Sequence, residues 1–199
     1  MKICQLANFW MKKILVFAIL VLVFGCKFDS EKEILVLNKK AQDLVNKEDF
    51  QGAIKVLDKV ENIDSNYLHI SYTKAFLNLK SNNFSQAKIE INKEIKKDSL
   101  NAEVWQLNGI INKMLKDIDY SNQCFKKSIK FYETGKSNLA RNDKDIDMIV
   151  FILLHIINDS ESKIQKNSIK LKWKVDYKMS DFFKLDEETS EKALELLYK

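Results

Sequence analysis

Proline is absent from the 199 residues, and glycine occurs four times, at Gly25, Gly52, Gly109 and Gly135. Sandwiches and barrels depend on those two residue types for their frequent tight turns, so their scarcity excludes such folds and favours long helices joined by short connections. Arginine occurs once, at Arg141. Its replacement by lysine, together with abundant Asn and Ile, is the bias that AT-rich coding produces, so the lysines carry little chemical information. There is no G-x-S-x-G, no H-E-x-x-H and no glycine-rich phosphate loop, and acidic pairs such as Glu187-Glu188 stand among other charges as a solvated surface. The chain is therefore not expected to be an enzyme. The two histidines, His69 and His155, lie far apart, so no metal site is expected. No apolar run approaches the roughly 20 residues a helix needs to cross hydrocarbon.

What is present begins at the amino end. Ile14 to Phe24 is an apolar run of eleven residues, preceded by Lys12 and Lys13 and closed by Gly25-Cys26. A charged start, a short apolar centre and a small residue at the end have the form of an export signal. "LVFGC", Leu22 to Cys26, resembles the lipobox of bacterial lipoproteins. That resemblance implies cleavage between Gly25 and Cys26 and a lipid on the Cys26 thiol, which becomes the first residue of the mature protein. No other cofactor is expected. The alternative is an uncleaved signal anchor in which Cys26 is a buried thiol. Met11 also opens a complete signal, so residues 1–10 read as an over-extended start. Removal of 1–25 takes away Lys2, Lys12 and Lys13 and no acid, and the formal charge drops from +5 to +2. So small a charge on an exported chain argues against nucleic acid as a partner. Cys4 leaves with the signal and Cys26 is consumed by lipid, so Cys124 stands alone and no intramolecular disulfide forms. Residues 26–33 then serve as a short charged tether to the membrane.

From Ile34 to Gly135 the chain repeats itself at an interval of 34 residues. Asn46 to Asn66, Lys80 to Asn101 and Leu115 to Gly135 align without gaps, bringing Phe50, Phe84 and Ile118 into register, then Ala53, Ala87 and Ser121, then Leu57, Ile91 and Phe125. Upstream, Ala41, Ala75 and Gly109 fill one small position, with Trp105 at a large site that Leu37 and Ser71 occupy in the first two units. Small residues let helices approach to about 8–10 Å, and the large ones fill the space between them. This pattern resembles the tetratricopeptide repeat, whose unit is two antiparallel helices. The fold implied is an all-α solenoid of three hairpins over 34–135, with capping helices over 136–199. The resemblance also implies a concave groove that binds a protein or peptide. Its wall would carry Asn38, Gln42 and Val45, then Tyr72, Phe76 and Leu79, then Gln106, Ile110 and Lys113. The groove stands open, or the C-terminal region covers Phe76, Leu79 and Ile110.

Beyond the repeats, Met148 to Ile157 is apolar on all sides and too short to span a bilayer, so it is expected to be a buried cap behind the acidic start Asp143, Asp145 and Asp147. His155 within it reads as a satisfied core histidine. Lys170 to Met179 alternates with period two, a strand pattern, with Leu171, Trp173, Val175, Tyr177 and Met179 on one side and lysines on the other. It packs on the solenoid, pairs with a partner's edge or is helical after all. Asp186 to Lys199 reads as an amphipathic closing helix.

Taken together, these features imply an adaptor on the bacterial cell envelope, tethered through Cys26 to the periplasmic face of the outer membrane and presenting the groove to another envelope protein. Lipoproteins with such repeats assist outer-membrane barrel assembly, pilus secretion or peptidoglycan enzymes, and the resemblance does not choose among them. A second reading is a small envelope hydrolase or ligand-binding protein built on Asn142 to Lys199.

Overall fold

A computed structural model describes residues 30–67, 69–137 and 143–157. The signal, Cys26, the alternating segment 170–179 and the closing segment 186–199 lie outside the described residues. Every described element is an α-helix. The chain divides into two compact units, Met1–Ile70 and Ser71–Lys199.

The first unit holds α1 (residues 30–46) and α2 (Phe50–Ile63). The tether was expected to run to residue 33, but residues 30–33 are already helical, as part of α1. Glu and Lys are good helix formers. Asp49 caps α2 by accepting from the Gly52 amide at 2.9 Å. Ala41, Ala53, Leu57 and Val60 are all buried. Beyond α2 the chain returns to α1, where the Asn38 amide donates to the Tyr67 hydroxyl at 3.0 Å.

The second unit holds α3 (Ile70–Lys80), which starts at the boundary, then α4 (Phe84–Lys97), α5 (Ala102–Met114), α6 (Ile118–Glu133) and α7 (Asp143–Ile156). One apolar cluster runs through it, joining Ala75 and Leu79 of α3, Ala87 and Ile91 of α4, Ile110 of α5, Phe125 of α6 and Ile149 to Leu154 of α7. Helices α5 and α6 meet at their small residues. The Ser121 hydroxyl donates to the Gly109 carbonyl at 2.8 Å, and the Phe125 ring lies across Gly109. Asn101 caps α5 by accepting from the Glu103 and Val104 amides, and the Trp105 indole donates back across the turn to the Ser99 carbonyl at 2.9 Å. Lys127 stands 3.6 Å from the centre of the Trp105 ring, a cation–π contact. Past α6, the Lys136 carbonyl accepts from the Ala102 amide at 2.8 Å. This bond satisfies one of the open donors that every helix start carries.

The 34-residue interval reappears in the backbone. Three non-glycine residues with left-handed φ, Glu48 at 60°, Asn82 at 59° and Lys116 at 64°, sit at the same place in the three hairpin turns. Around them the same bonds recur. Asp49, Asn83 and Asp117 donate their amides to the carbonyls of Leu44, Asn78 and Asn112 at 2.8–2.9 Å, and each accepts in turn from Ala53, Ala87 or Ser121 at 2.9–3.0 Å. Asparagine tolerates the left-handed region best of the three. Lys116→Val is therefore expected to destabilise the protein by about 1–2 kcal/mol, while Lys116→Asn stays within about 0.5 kcal/mol of the parent. The urea midpoint of each variant checks this.

Candidate functional site

Nearly all the repeat-packing residues are buried. Ala53, Ala75, Ala87, Ile91, Ser121 and Phe125 are fully enclosed, Gly109 is buried, and Ala41, Leu57 and Trp105 are nearly covered. Phe50 and Phe84 are half-buried. Ile118 departs from the expectation at 47% exposure. It stands at the first position of α6, where a branched side chain lacks the reach of the phenyl rings at 50 and 84.

The residues assigned to the groove divide. In the first unit, Asn38 is half-buried and bonded to Tyr67, Gln42 is exposed and donates to Asn46 at 3.1 Å, and Val45 is half-buried. In the second unit, Leu79, Gln106 and Ile110 are buried, so they present no open wall. Leu79 and Ile110 share the apolar cluster with α7. The Gln106 carboxamide oxygen is taken by the Tyr132 hydroxyl at 2.6 Å, and Lys113 reaches to 3.5 Å from the Ile156 carbonyl at the end of α7. Ile149 to Leu154 of α7 is buried without a break, as suits a helix that is apolar all round. Tyr72 and Phe76, half-buried against the cluster, are the aromatic groove positions that keep accessible surface. The Lys80 ammonium lies 5.9 Å from the Phe76 ring centre.

The structure also shows an interior that the repeat pattern did not reveal. Glu90 of α4 is 2% exposed, and its carboxylate accepts from Lys93 at 2.9 and 3.0 Å and from Gln86 at 3.2 Å, with the Lys74 ammonium at 3.7 Å. Lys74 is itself buried. A signal was available: Glu90 and Glu94 fall on the stripe of Ala87 and Ile91, at helical spacing.

In α5 and α6, Asn108 donates to the Cys124 sulfur at 3.3 Å, and Asn112 donates to the Asn108 side-chain oxygen at 2.8 Å. Burial pushes the Cys124 thiol up to about 11 from its usual 9.0. It also raises the phenol of the adjacent Tyr120, with the neighbouring Cys124 adding to the effect. A raised thiol favours the neutral form in the folded state. Its contribution to stability is complete below about pH 9 and is lost as pH climbs through 11. Cys124 is expected to resist maleimide at neutral pH until denaturant is added, and Cys124→Ala is expected to flatten the fall in urea midpoint between pH 9 and 11.

Among the described residues no group of three His, Cys, Asp or Glu side chains is placed to hold a metal ion, and no helix is long and apolar enough to cross a membrane. The second reading, a site on Asn142 to Lys199, falls mostly outside the described residues. Its described part, α7, is committed to packing.

The paired helices, the three equivalent turns and the small-on-large contacts define an all-α tetratricopeptide-repeat α-solenoid fold. Among solved structures, the chain is similar to MamA 41-end from Desulfovibrio magneticus RS-1, at 17% identity over 70% of this chain and 75% of that one, with a TM-score of 0.53. It is also similar to the MamA RS-1 ArsTM double mutant, at 15% identity over 76% and 74%, with a TM-score of 0.49. No family model and no curated protein matches the sequence.

Proposed function

We propose that this protein is a lipid-anchored adaptor of the bacterial cell envelope that binds another protein through its repeat hairpins. The observation that carries the reading is the threefold recurrence of the hairpin turn and its backbone hydrogen bonds at 34 residues. It builds a binding scaffold and assembles no reactive group among the described residues. The anchor rests on the signal-like segment and "LVFGC" ahead of the first helix. Lys27 after the cysteine is not the aspartate that holds lipoproteins at the inner membrane in some bacteria, which favours the periplasmic face of the outer membrane. Tyr72 and Phe76 of the second unit are the residues proposed to meet the partner, an extended peptide or a helix of an envelope protein.

The test uses the full chain and its Cys26→Ser variant in bacterial membranes. Mass spectrometry of the purified parent should find the first 25 residues gone and a lipid on Cys26, and the variant should lose membrane retention. Cross-linking from position 72 or 76 should trap one envelope protein reproducibly. An intact leader with a free thiol would refute the anchor, and no trapped protein from either position would refute the adaptor role.

A further inference from the structure

We propose that the outer faces of α4 and α6 form a cationic strip that binds an acidic segment of a partner protein, with Lys93 and Lys96 of α4 and Lys126, Lys127 and Lys130 of α6 meeting its carboxylates. These lysines lie on other helices than Tyr72 and Phe76, and the proposal does not rest on the lipid anchor.

Coding bias sets how many lysines the chain carries, and it does not set where the carboxylates go. In α4, Glu90 and Glu94 are each 2% exposed, while Lys93, Lys96 and Lys97 are exposed and Lys88 is half-buried. The outward face of that helix therefore shows cations and no acid. In α6, Lys126, Lys127 and Lys130 are exposed, and the acids Asp119 and Glu133 stand near its two ends. Helix α5 packs against both α4 and α6, and the Lys88 ammonium of α4 stands 5.9 Å from the Tyr120 ring centre of α6, which brings the two helices side by side. The 34-residue interval then sets Lys93 level with Lys127 and Lys96 level with Lys130. Two acids adjoin these five lysines along the chain. Glu133 comes one turn after Lys130, and Asp98, which ends α4, is half-buried and accepts from the Asn101 amide at 3.0 Å. Among the described residues, Lys96, Lys126 and Lys130 have no carboxylate within ion-pair distance.

Two of the lysines are also held in place. Lys127 lies 3.6 Å from the Trp105 ring centre and 5.9 Å from that of Phe131, and Lys93 bonds Glu90, a carboxylate that the buried Lys74 already shares. Cations fixed at set positions lose little freedom on meeting a partner. They favour a ligand whose carboxylates are covalently spaced over a fluid layer of headgroups, which rewards no particular spacing. Ile89 and Ile118 are the exposed large apolar side chains on the two helices, so recognition here rests on charge and gives specificity and speed of association. The dimensions fit an extended chain. With 14 and 16 residues, α4 and α6 are about 21 and 24 Å long, a span that about seven extended residues cover.

The experiment measures fluorescence anisotropy of a labelled peptide of alternating Glu and Ala, long enough to cover both helices, against the full chain carrying Cys26→Ser, which removes any lipid. A peptide of alternating Gln and Ala is the neutral probe. The Glu peptide is expected to bind, more weakly as salt is raised, and the Gln peptide is not. Combining Lys96→Gln, Lys126→Gln and Lys130→Gln is expected to raise Kd about tenfold. Combining Lys39→Gln, Lys40→Gln and Lys55→Gln, which removes the same charge from exposed positions elsewhere, is expected to raise it less than about twofold. All six side chains are exposed, and an unchanged circular dichroism melt shows that each variant folds. Equal losses in the two variants overturn the proposal, because net charge alone then explains binding. Absence of Glu-peptide binding by the parent overturns it too. Sedimentation of the parent with phosphatidylglycerol vesicles that the first variant abolishes, without binding of the peptide, overturns it in favour of a bilayer.

Discussion

Glu90→Ala is expected to destabilise the second unit by about 3–5 kcal/mol, because it strips the carboxylate from a Lys74 ammonium that has almost no contact with water. The size of the effect comes from desolvation. In the parent, Glu90 collects Lys93 and Gln86 as well as Lys74. Removing Glu90 takes a carboxylate away from an ammonium held in a low-dielectric interior. The converse change separates charge from packing. Lys74→Met with Glu90→Leu removes both charges while keeping volume, and is expected to fall within about 1–2 kcal/mol of the parent on either side. Urea denaturation followed by circular dichroism measures both. A Glu90→Ala cost no larger than that of a surface substitution, about 0.5 kcal/mol, would show that the ion pair is not buried in solution.

Phe125→Ala is expected to cost about 3–5 kcal/mol through the cavity it leaves, since the ring is fully enclosed and belongs to the cluster that holds α5, α6 and α7. Its neighbour gives a sharper test. A Cβ on Gly109 would lie 2.5 Å from two atoms of the Phe125 ring, closer than any carbon pair tolerates, and the enclosed ring has nowhere to turn. Gly109→Ala should therefore cost about 1–3 kcal/mol by overpacking, although alanine is the better helix former by about 1 kcal/mol. In a Phe125→Leu background the clash is relieved, and the Gly109→Ala penalty should shrink by at least half. A double-mutant cycle reads that coupling directly. Additivity would mean that Gly109 serves some purpose other than making room for the ring.

Much of this architecture was legible in the amino-acid order because a repeat states its own geometry several times. Ala53, Ala87 and Ser121 stand at one interval with Ala41, Ala75 and Gly109 before them, and small residues at that spacing suit places where two helices touch. Asp49 and Asp117 accept from amides at helix starts, a place that their side-chain oxygens suit. The left-handed residues were not legible. Glu48 and Lys116 are poor choices for that conformation, and only the closure of each hairpin between packed helices forces them into it. The burial of Glu90 was not singled out, for a related reason. A carboxylate in a lysine-rich amphipathic helix reads as solvated, and what makes it internal is the arrival of Lys74 from a different helix.

By itself, then, the order of residues determined the helical class, the hairpin interval, the small contacts and the apolar character of α7, because each depends on side chains close in sequence or repeated at a set period. Tertiary structure alone decided that Leu79, Gln106 and Ile110 lie inside, that Tyr72 and Phe76 keep accessible surface and that two opposite charges share an interior. Those outcomes depend on which surfaces meet, and a helix that is apolar all round does not say in advance which neighbour it will cover.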